Sequence, residues 1–111
     1  MEGIELPVFD NTIGFETLTV SNTAKVLTAS KYQNAGTGNF KDARVALITI
    51  DGTAGTNDIR FTTDGTAPVA ATTGHLAQAK KPVVIRGFGN IANFKAIRES
   101  SDAVIHVSYY R

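Results

Sequence analysis

The chain has 111 residues, of which 42% are hydrophobic and 19% charged, so it is long enough for one core and too apolar for a disordered segment. Eleven basic and ten acidic side chains leave a net charge of +1, which argues against partners selected by charge alone, such as nucleic acid or an anionic membrane. Cysteine is absent, which excludes disulfides, thiolate nucleophiles and thiolate metal ligands.

No segment predicts a membrane span or a secretory signal. The longest nearly apolar run covers residues 45–50, far short of the roughly 20 residues that cross a bilayer. The first seven residues hold two acids and no basic residue, unlike the start of a signal peptide. We therefore expect a protein made in the cytoplasm that leaves a cell only by lysis or assembly.

Residues 1–14 predict an irregular N-terminal arm, followed by a single domain over residues 15–111. Pro7 and Gly14 interrupt any regular period in the arm, yet it is rich in apolar side chains. That much apolar surface should pack on the chain's own sheet or on a neighbouring subunit. The candidate interaction residues of the arm are Ile4, Leu6, Val8 and Phe9.

The first half of the domain predicts two hairpins. Residues 15–20 and 25–29 carry strand-forming residues around a Ser-Asn turn, and residues 30–41 are typical of a loop. Residues 43–50 are apolar on both faces, which favours a central strand. The turn pair Asp51-Gly52 then predicts an antiparallel hairpin with the alternating residues 59–63.

The second half predicts three more strands, at residues 83–86, 91–98 and 103–110. Residues 67–81 are predicted as mostly loop, with room for a helical turn over residues 75–79. About seven strands separated by turns and joined by no crossover helix predict an all-β fold. The expected architecture is an antiparallel β-sandwich or small barrel, immunoglobulin-like or jelly-roll-like.

The sequence offers little material for catalysis or metal binding. His75 and His106 are the only histidines, and neither they nor Asp64 and Asp102 have the spacing of a metal motif. Two Asp-Gly-Thr triplets, beginning at Asp51 and Asp64, resemble the triplet of retroviral-type aspartic proteases, but Asp-Gly is also an ordinary turn. We predict no catalytic residues, no cofactor and no metal.

The C-terminus ends in Tyr109, Tyr110 and Arg111, and both residue types are enriched in protein interfaces. Successive strand residues face opposite sides of a sheet, so only one of the two tyrosines can point into the core. An exposed Tyr110-Arg111 pair at a sheet edge would suit a subunit contact. The alternative is a tyrosine that packs over its own domain.

Two resemblances to known families bear on function. Residues 59–68 (Ile-Arg-Phe-Thr-Thr-Asp-Gly-Thr-Ala-Pro) resemble a hairpin of chitobiase C-terminal-type immunoglobulin-like modules, with Phe61 in place of the usual tyrosine. A longer stretch, from Ile59 through Gly74-His75-Leu76 and residues 94–98 to residues 103–111, is similar to small virion proteins of tailed bacteriophages. The second resemblance implies a capsid-decorating, cement-like or minor structural role, and brings no catalytic residues.

Three functions follow as hypotheses. The first is a non-enzymatic virion protein, located in the virion and binding the major capsid protein or other virion proteins, with a homo-oligomer expected and a trimer preferred. The second is a glycan-binding or adhesive β-sandwich that uses residues 33–40 and 51–58. The third is a small enzyme, which only His75 and His106 support.

Overall fold

A computed structural model describes residues 11–38 and 40–111, which form two antiparallel sheets of four strands each. The predicted all-β sandwich is confirmed, with eight strands in this part of the chain and open sheets rather than a closed barrel. The strands are β1 (Thr12–Val20), β2 (Lys25–Val26), β3 (Val45–Ile50), β4 (Ile59–Thr62), β5 (His75–Ala77), β6 (Val83–Arg86), β7 (Lys95–Arg98) and β8 (Ala103–Tyr110), and the helices are α1 (Ala29–Tyr32) and α2 (Phe88–Ala92).

The first sheet has the strand order β1-β8-β3-β6, and the second has the order β2-β7-β4-β5. The chain passes repeatedly from one sheet to the other, so both predicted hairpins are wrong. Strand β1 pairs with β8 rather than β2, and β3 pairs with β8 and β6 rather than β4. A turn dipeptide marks where a strand ends, but it does not determine which sheet the next strand joins.

The core lies between the sheets and is lined by alternate residues of each strand. In β8 the inward row of Ala103, Ile105, Val107 and Tyr109 is fully buried, as the alternation predicted. Strand β3 is buried at four of its six positions and lies in the interior of its sheet, between β8 and β6. The remaining fully buried large side chains are Phe94, Ile48, Ile50, Ile59, Ile91 and Val20.

Several local predictions need correction. Strand β1 begins at Thr12, inside the segment expected to be irregular, and His75–Ala77 is a strand rather than part of a loop or helical turn. Residues 88–92 form α2, where a turn and the start of a strand were expected. Gly87 directly precedes this helix and adopts a positive φ of 94°, which glycine tolerates. Ile91, within the helix, is fully buried, as it would be in a strand.

Helix α1 packs on β1 at Gly14, where the β1–β8 register shifts. A Cβ atom at Gly14 would lie 2.2 Å from the backbone carbonyl oxygen of Lys31, a distance that no real contact tolerates. The absence of a side chain at this position therefore allows the helix to approach the strand. Gly14 is needed here for space rather than for an unusual backbone conformation.

We expect Gly14→Ala to destabilise the fold by about 1–3 kcal/mol, because either α1 or β1 must move to relieve the clash. Gly89→Ala is the matched control, since a Cβ atom there meets open space within α2. Alanine at Gly89 should be neutral or stabilise by roughly 0.5–1 kcal/mol. Urea unfolding of both variants measures the difference, and equal stabilities would contradict the close-approach argument.

Candidate interaction surface

The open side of the sandwich carries an apolar groove between the edge strands β5 and β6, called the edge groove below. Its volume is about 610 Å³. Within the described residues, β5 pairs only with β4 and β6 only with β3, so each strand has one side outside the ladders. The groove is lined by Phe61, Thr63, His75, Leu76, Ala77, Gln78, Lys81, Pro82, Val83, Val84 and Ile85.

Apolar side chains dominate both the floor and the rim of the edge groove. Ala77 and Ile85 are buried, whereas Leu76 and Val84 are 47% and 40% exposed. Leu76 lies on the β5 side of the groove and Val84 on the β6 side, so each rim carries one exposed aliphatic side chain. An apolar groove with exposed aliphatic side chains on its rims is typical of a binding surface. Covering the two side chains would remove apolar surface from water, which favours association.

Aromatic rings connect the edge groove to the core. The Phe61 ring lies 5.5 Å from the imidazole of His75 and 5.5 Å from the stacked ring of Phe94, measured between centroids. Phe94 is fully buried. This row of rings therefore connects the floor of the edge groove to the core.

The connection between β5 and β6 gives one end of the edge groove a positive charge. Lys80 and Lys81 are both exposed in this connection. Lys80 adopts a φ of +70° and donates its backbone N–H to the carbonyl of Ile50, which fixes the connection to the first sheet. The two ammonium groups therefore lie where β5 ends and β6 begins.

An ion pair holds the long loop that leads into β5. The Arg60 guanidinium donates to both carboxylate oxygens of Glu99, at 2.8 and 3.3 Å, and to the carbonyl of Gly74. Glu99 also accepts the backbone N–H of Ala71. The hydrogen bond from Arg60, followed by that from Ala71, lowers the pKa of Glu99. This network ties residues 71 and 74 to the second sheet and positions the edge strand.

The Tyr109 side chain lies in the core, so it does not contribute to an exposed subunit contact as the sequence allowed. Its hydroxyl donates to the Glu16 carboxylate at 2.5 Å, and the same oxygen accepts the backbone N–H of Thr28. Burial, and then the hydrogen bond to Glu16, raise the pKa of Tyr109 strongly. The rings of Tyr32 and Tyr109 lie 5.7 Å apart beside this pair.

The inward carboxylate of Glu16 is a feature that the sequence analysis missed. Glu16 is only 8% exposed and alternates with Leu18 and Val20, which also face the core. That alternation was visible in the sequence. The partner was not, because Tyr109 is 93 residues away along the chain.

Tyr110 and Arg111 do not lie at a sheet edge, because β8 is an interior strand between β1 and β3. Both residues are partly exposed. The Arg111 guanidinium lies 5.1 Å from the centre of the Phe40 ring and donates to the carbonyl of Asp42. These contacts form one wall of a second depression near Asn11. Arg111 therefore has partners in its own chain.

The predicted interaction residues Ile4, Leu6, Val8 and Phe9 lie outside the described residues. The described chain begins at Asn11, whose carbonyl accepts the backbone N–H of Arg111. Asn11 thus lies beside the C-terminus, next to β1 at the edge of the first sheet.

A hydrogen-bonded trio lies on the outer face of the first sheet. His106 Nδ1 is 3.1 Å from the Thr17 hydroxyl, and Nε2 is 2.8 Å from the Asp51 carboxylate. Hydroxyl, imidazole and carboxylate in this order resemble a nucleophilic triad. The trio is open to water, with the His106 side chain 34% and the Asp51 side chain 62% exposed, and the Phe15 ring stacks on the imidazole.

The two histidines do not converge. His75 belongs to the edge of the second sheet and His106 to the interior of the first. Asp64 and Asp102 have other partners, since Asp64 accepts the N–H of Thr66 and Asp102 pairs with Arg98. Residues 11–38 and 40–111 contain no group of three or more His, Asp or Glu side chains that could hold a metal ion.

The two Asp-Gly-Thr triplets form separate turns in different sheets. Asp51 follows β3 and contacts His106, whereas Asp64 follows β4 and holds its own turn. In the resemblance to the chitobiase-type hairpin, residues 59–68 supply β4 and this turn. Both strands that pair with β4 lie beyond that segment, since β5 starts at His75 and β7 at Lys95.

The loop over residues 51–58 uses its polar side chains internally. Asn57 accepts the backbone N–H of Thr53 and donates to the carbonyl of Asp102. Asp58 is 5% exposed and accepts the backbone N–H groups of Gly55 and Ala79. These groups fix the loop and leave few polar side chains of this loop to recognise a sugar.

Comparison of the chain with family models, with curated proteins and with solved structures gave no match. Among the described residues, no helix has the length and apolar character that a membrane span requires.

We expect Tyr109→Phe to destabilise the fold by about 1–3 kcal/mol, because it leaves the buried Glu16 carboxylate with one hydrogen bond fewer. Above pH 10 the unfolded chain ionises this tyrosine while the folded chain keeps the proton, so wild-type stability should fall as the pH rises. Tyr109→Phe should weaken that alkaline fall. Tyr32→Phe, which breaks no described hydrogen bond, is the control for the loss at neutral pH. Burial, and then the charge of Glu16, also raise the pKa of Tyr32, so this variant should weaken the alkaline fall as well. Unfolding curves between pH 7 and 11 measure both effects.

Glu99→Gln should reduce stability at neutral pH and bring little change under strongly acidic conditions. The pKa of Glu99 is lowered in the folded state, so its stabilising effect is present above the ordinary carboxyl pKa and is lost as the pH falls through the folded value. Urea unfolding from pH 7 to pH 2.5 measures this convergence. Asp102→Asn is the control: it removes an exposed pair with Arg98 and should reduce stability little at any pH. A loss of stability in Glu99→Gln that stays the same from pH 7 to pH 2.5 would contradict the role given to the Glu99 carboxylate.

Proposed function

We propose that the chain is a non-enzymatic structural protein of a tailed-bacteriophage virion, a capsid-decorating or cement-like subunit that acts through protein–protein contacts. The observation that carries the proposal is the apolar edge groove with Leu76 and Val84 exposed along it. The similarity of residues 59–111 to small virion proteins supports the same assignment. The expected partners are the major capsid protein or other virion proteins.

The mechanism is the burial of surface at junctions between subunits. Stable protein interfaces bury about 1,200–2,000 Å² in total, more than one groove supplies, so several contacts of each subunit must contribute. A symmetric homo-oligomer repeats the same contact, and a trimer suits the local threefold axes of a capsid. Each added contact would stabilise the particle without any chemical step.

The Thr17–His106–Asp51 trio does not lead us to propose an enzyme. It lies on an open sheet face, whereas a nucleophilic triad works with a substrate held in a cleft and with donors aimed at the developing oxyanion. The glycan-binding alternative is also weaker, because the polar side chains of residues 51–58 are hydrogen-bonded within the fold. A glycan array separates it from the virion role, in which the chain should give no signal.

The proposal is tested on particles from a host that carries the gene. Antibodies against the full chain should detect it in gradient-purified virions at a fixed ratio to the major capsid protein. Leu76→Glu/Val84→Glu should reduce that ratio at least tenfold, because charges replace the apolar rim of the edge groove. Val26→Glu/Val69→Glu alters two equally exposed valines elsewhere and should leave it unchanged. Absence of the wild-type chain from purified particles would overturn the proposal.

A further inference from the structure

We propose that the edge groove of one chain receives residues 4–8 of a second copy, which lie in it as an added extended strand. The inference rests on the proposed function, because it names the partner that fills the same groove during assembly. Backbone pairing at an open sheet edge is a general mode of recognition, in which alternate side chains fill the adjacent pockets.

The sequence of the arm has the pattern that such a strand needs. Ile4, Leu6 and Val8 are spaced two residues apart and would share one face of an extended segment. The floor that this face would meet is built from Phe61, Ala77 and Ile85. Pro7 would alternate to the opposite face, and proline is tolerated in a strand that lies at an edge.

Charge favours the same pairing. Glu2 and Glu5 are the acids closest to the apolar row of the arm. Lys80 and Lys81 are exposed at the end of the edge groove where β5 connects to β6. An arm lying with its N-terminal part toward this end brings its acids near the two ammonium groups, which helps to select one direction of docking.

Distance favours a second copy over the chain's own arm. The arm joins β1, and β1 and β6 are the two outermost strands of the first sheet. Three strand spacings separate them, roughly 14 Å, and crossing this width takes about four extended residues. Residues 7–10 would be needed to span the sheet, so Val8 could not reach the edge groove of the same chain. A neighbouring copy has no such restriction.

Such a contact joins two different surfaces, the arm at the β1 edge of one chain and the groove at the β6 edge of the next. Contacts of this head-to-tail kind generate a closed ring when the rotation between copies permits, as in the proposed trimer. Each chain would then be donor and acceptor at once. This property allows the two roles to be separated by substitution.

The test uses two full-length variants that each lose one role. Ile4→Glu/Leu6→Glu disables the arm, and Leu76→Glu/Val84→Glu disables the groove. We expect the wild type to be an oligomer by light scattering and each variant alone to be a monomer. Mixing the two variants should restore a single junction and give a 1:1 heterodimer, because one chain still has its groove and the other its arm. Val26→Glu/Val69→Glu should remain an oligomer.

Cross-linking identifies the contact directly, because the chain has no natural cysteine and only the introduced thiols react. A chain carrying Leu6→Cys and Val83→Cys, treated with a short bismaleimide, should form covalent dimers and larger species on a denaturing gel. Thiols cross-linked within one chain would show that the arm fills its own groove and would overturn the inference. The pair Leu6→Cys and Val26→Cys is the control and should stay uncross-linked between chains.

The two proposals fail differently. If the arm and groove variants remain oligomers while the wild type is still found in virions, the docking inference is overturned and the virion function stands. If the arm variant stays oligomeric but no longer enters particles, the arm binds another virion protein and the inference again falls. If the wild type is a monomer and is absent from particles, both proposals fail.

Discussion

Strand β8 is the element on which the rest of the sandwich depends. It pairs with β1 over residues 103–110 and with β3 over residues 105–110, so its backbone is satisfied on both sides. Its inward row is completely buried, and each large apolar side chain in that row stabilises the fold by roughly 1.5–3 kcal/mol relative to an exposed one. Because successive residues of a strand face opposite sides, burial of the inward row determines which residues face outward. His106 is one of these outward residues, and it lies opposite Thr17 and beside Asp51. The open position of that trio is a consequence of core alternation.

The inward row ends with a polar contact that specifies how the first sheet and α1 fit together. Burying a carboxylate in the core costs free energy unless it is hydrogen-bonded. Glu16 accepts hydrogen bonds from the Tyr109 hydroxyl and from the backbone N–H of Thr28. Thr28 directly precedes α1, and Gly14 provides the space for that helix on the same strand. The buried pair therefore positions the start of the helix as well as β1 and β8. A one-residue slip of β1 would turn Glu16 outward and leave the Tyr109 hydroxyl without its partner.

The sequence predicted the features that depend on local pattern, such as which residues of a strand face the core. It did not predict which strands pair with one another. The alternation of residues 103–110 predicted which side chains face the core. The abundance of turns and β-branched residues indicated an antiparallel sandwich or small barrel, and the structure is the sandwich. Strand partners were wrong because Asp51-Gly52 and Ser21-Asn22 end strands whose successors join the other sheet. Helix α2 was missed because Ile91 is apolar in either conformation, and periodicity cannot separate a strand from a single helical turn. The edge groove required knowledge that β5 and β6 are both outermost, which no single segment reveals.

The strand order that buries β8 also determines where the sandwich is open. With β8 and β3 in the interior of the first sheet, β6 must be an edge, and β5 is the edge above it in the second sheet. Exposed sheet edges promote association, and proteins usually cover or charge them. Here the connection between the two strands supplies two lysines at one end, while Leu76 and Val84 leave the length of the groove apolar. Exposed charge lies at the two ends of this opening, at the two lysines and at Arg86 on the far end of β6. Its apolar middle is therefore suited to a segment that alternates apolar side chains and carries acids near its start. The same physical rule, that inward positions repeat every second residue, thus governs the core of the domain and the strand we propose to enter its edge.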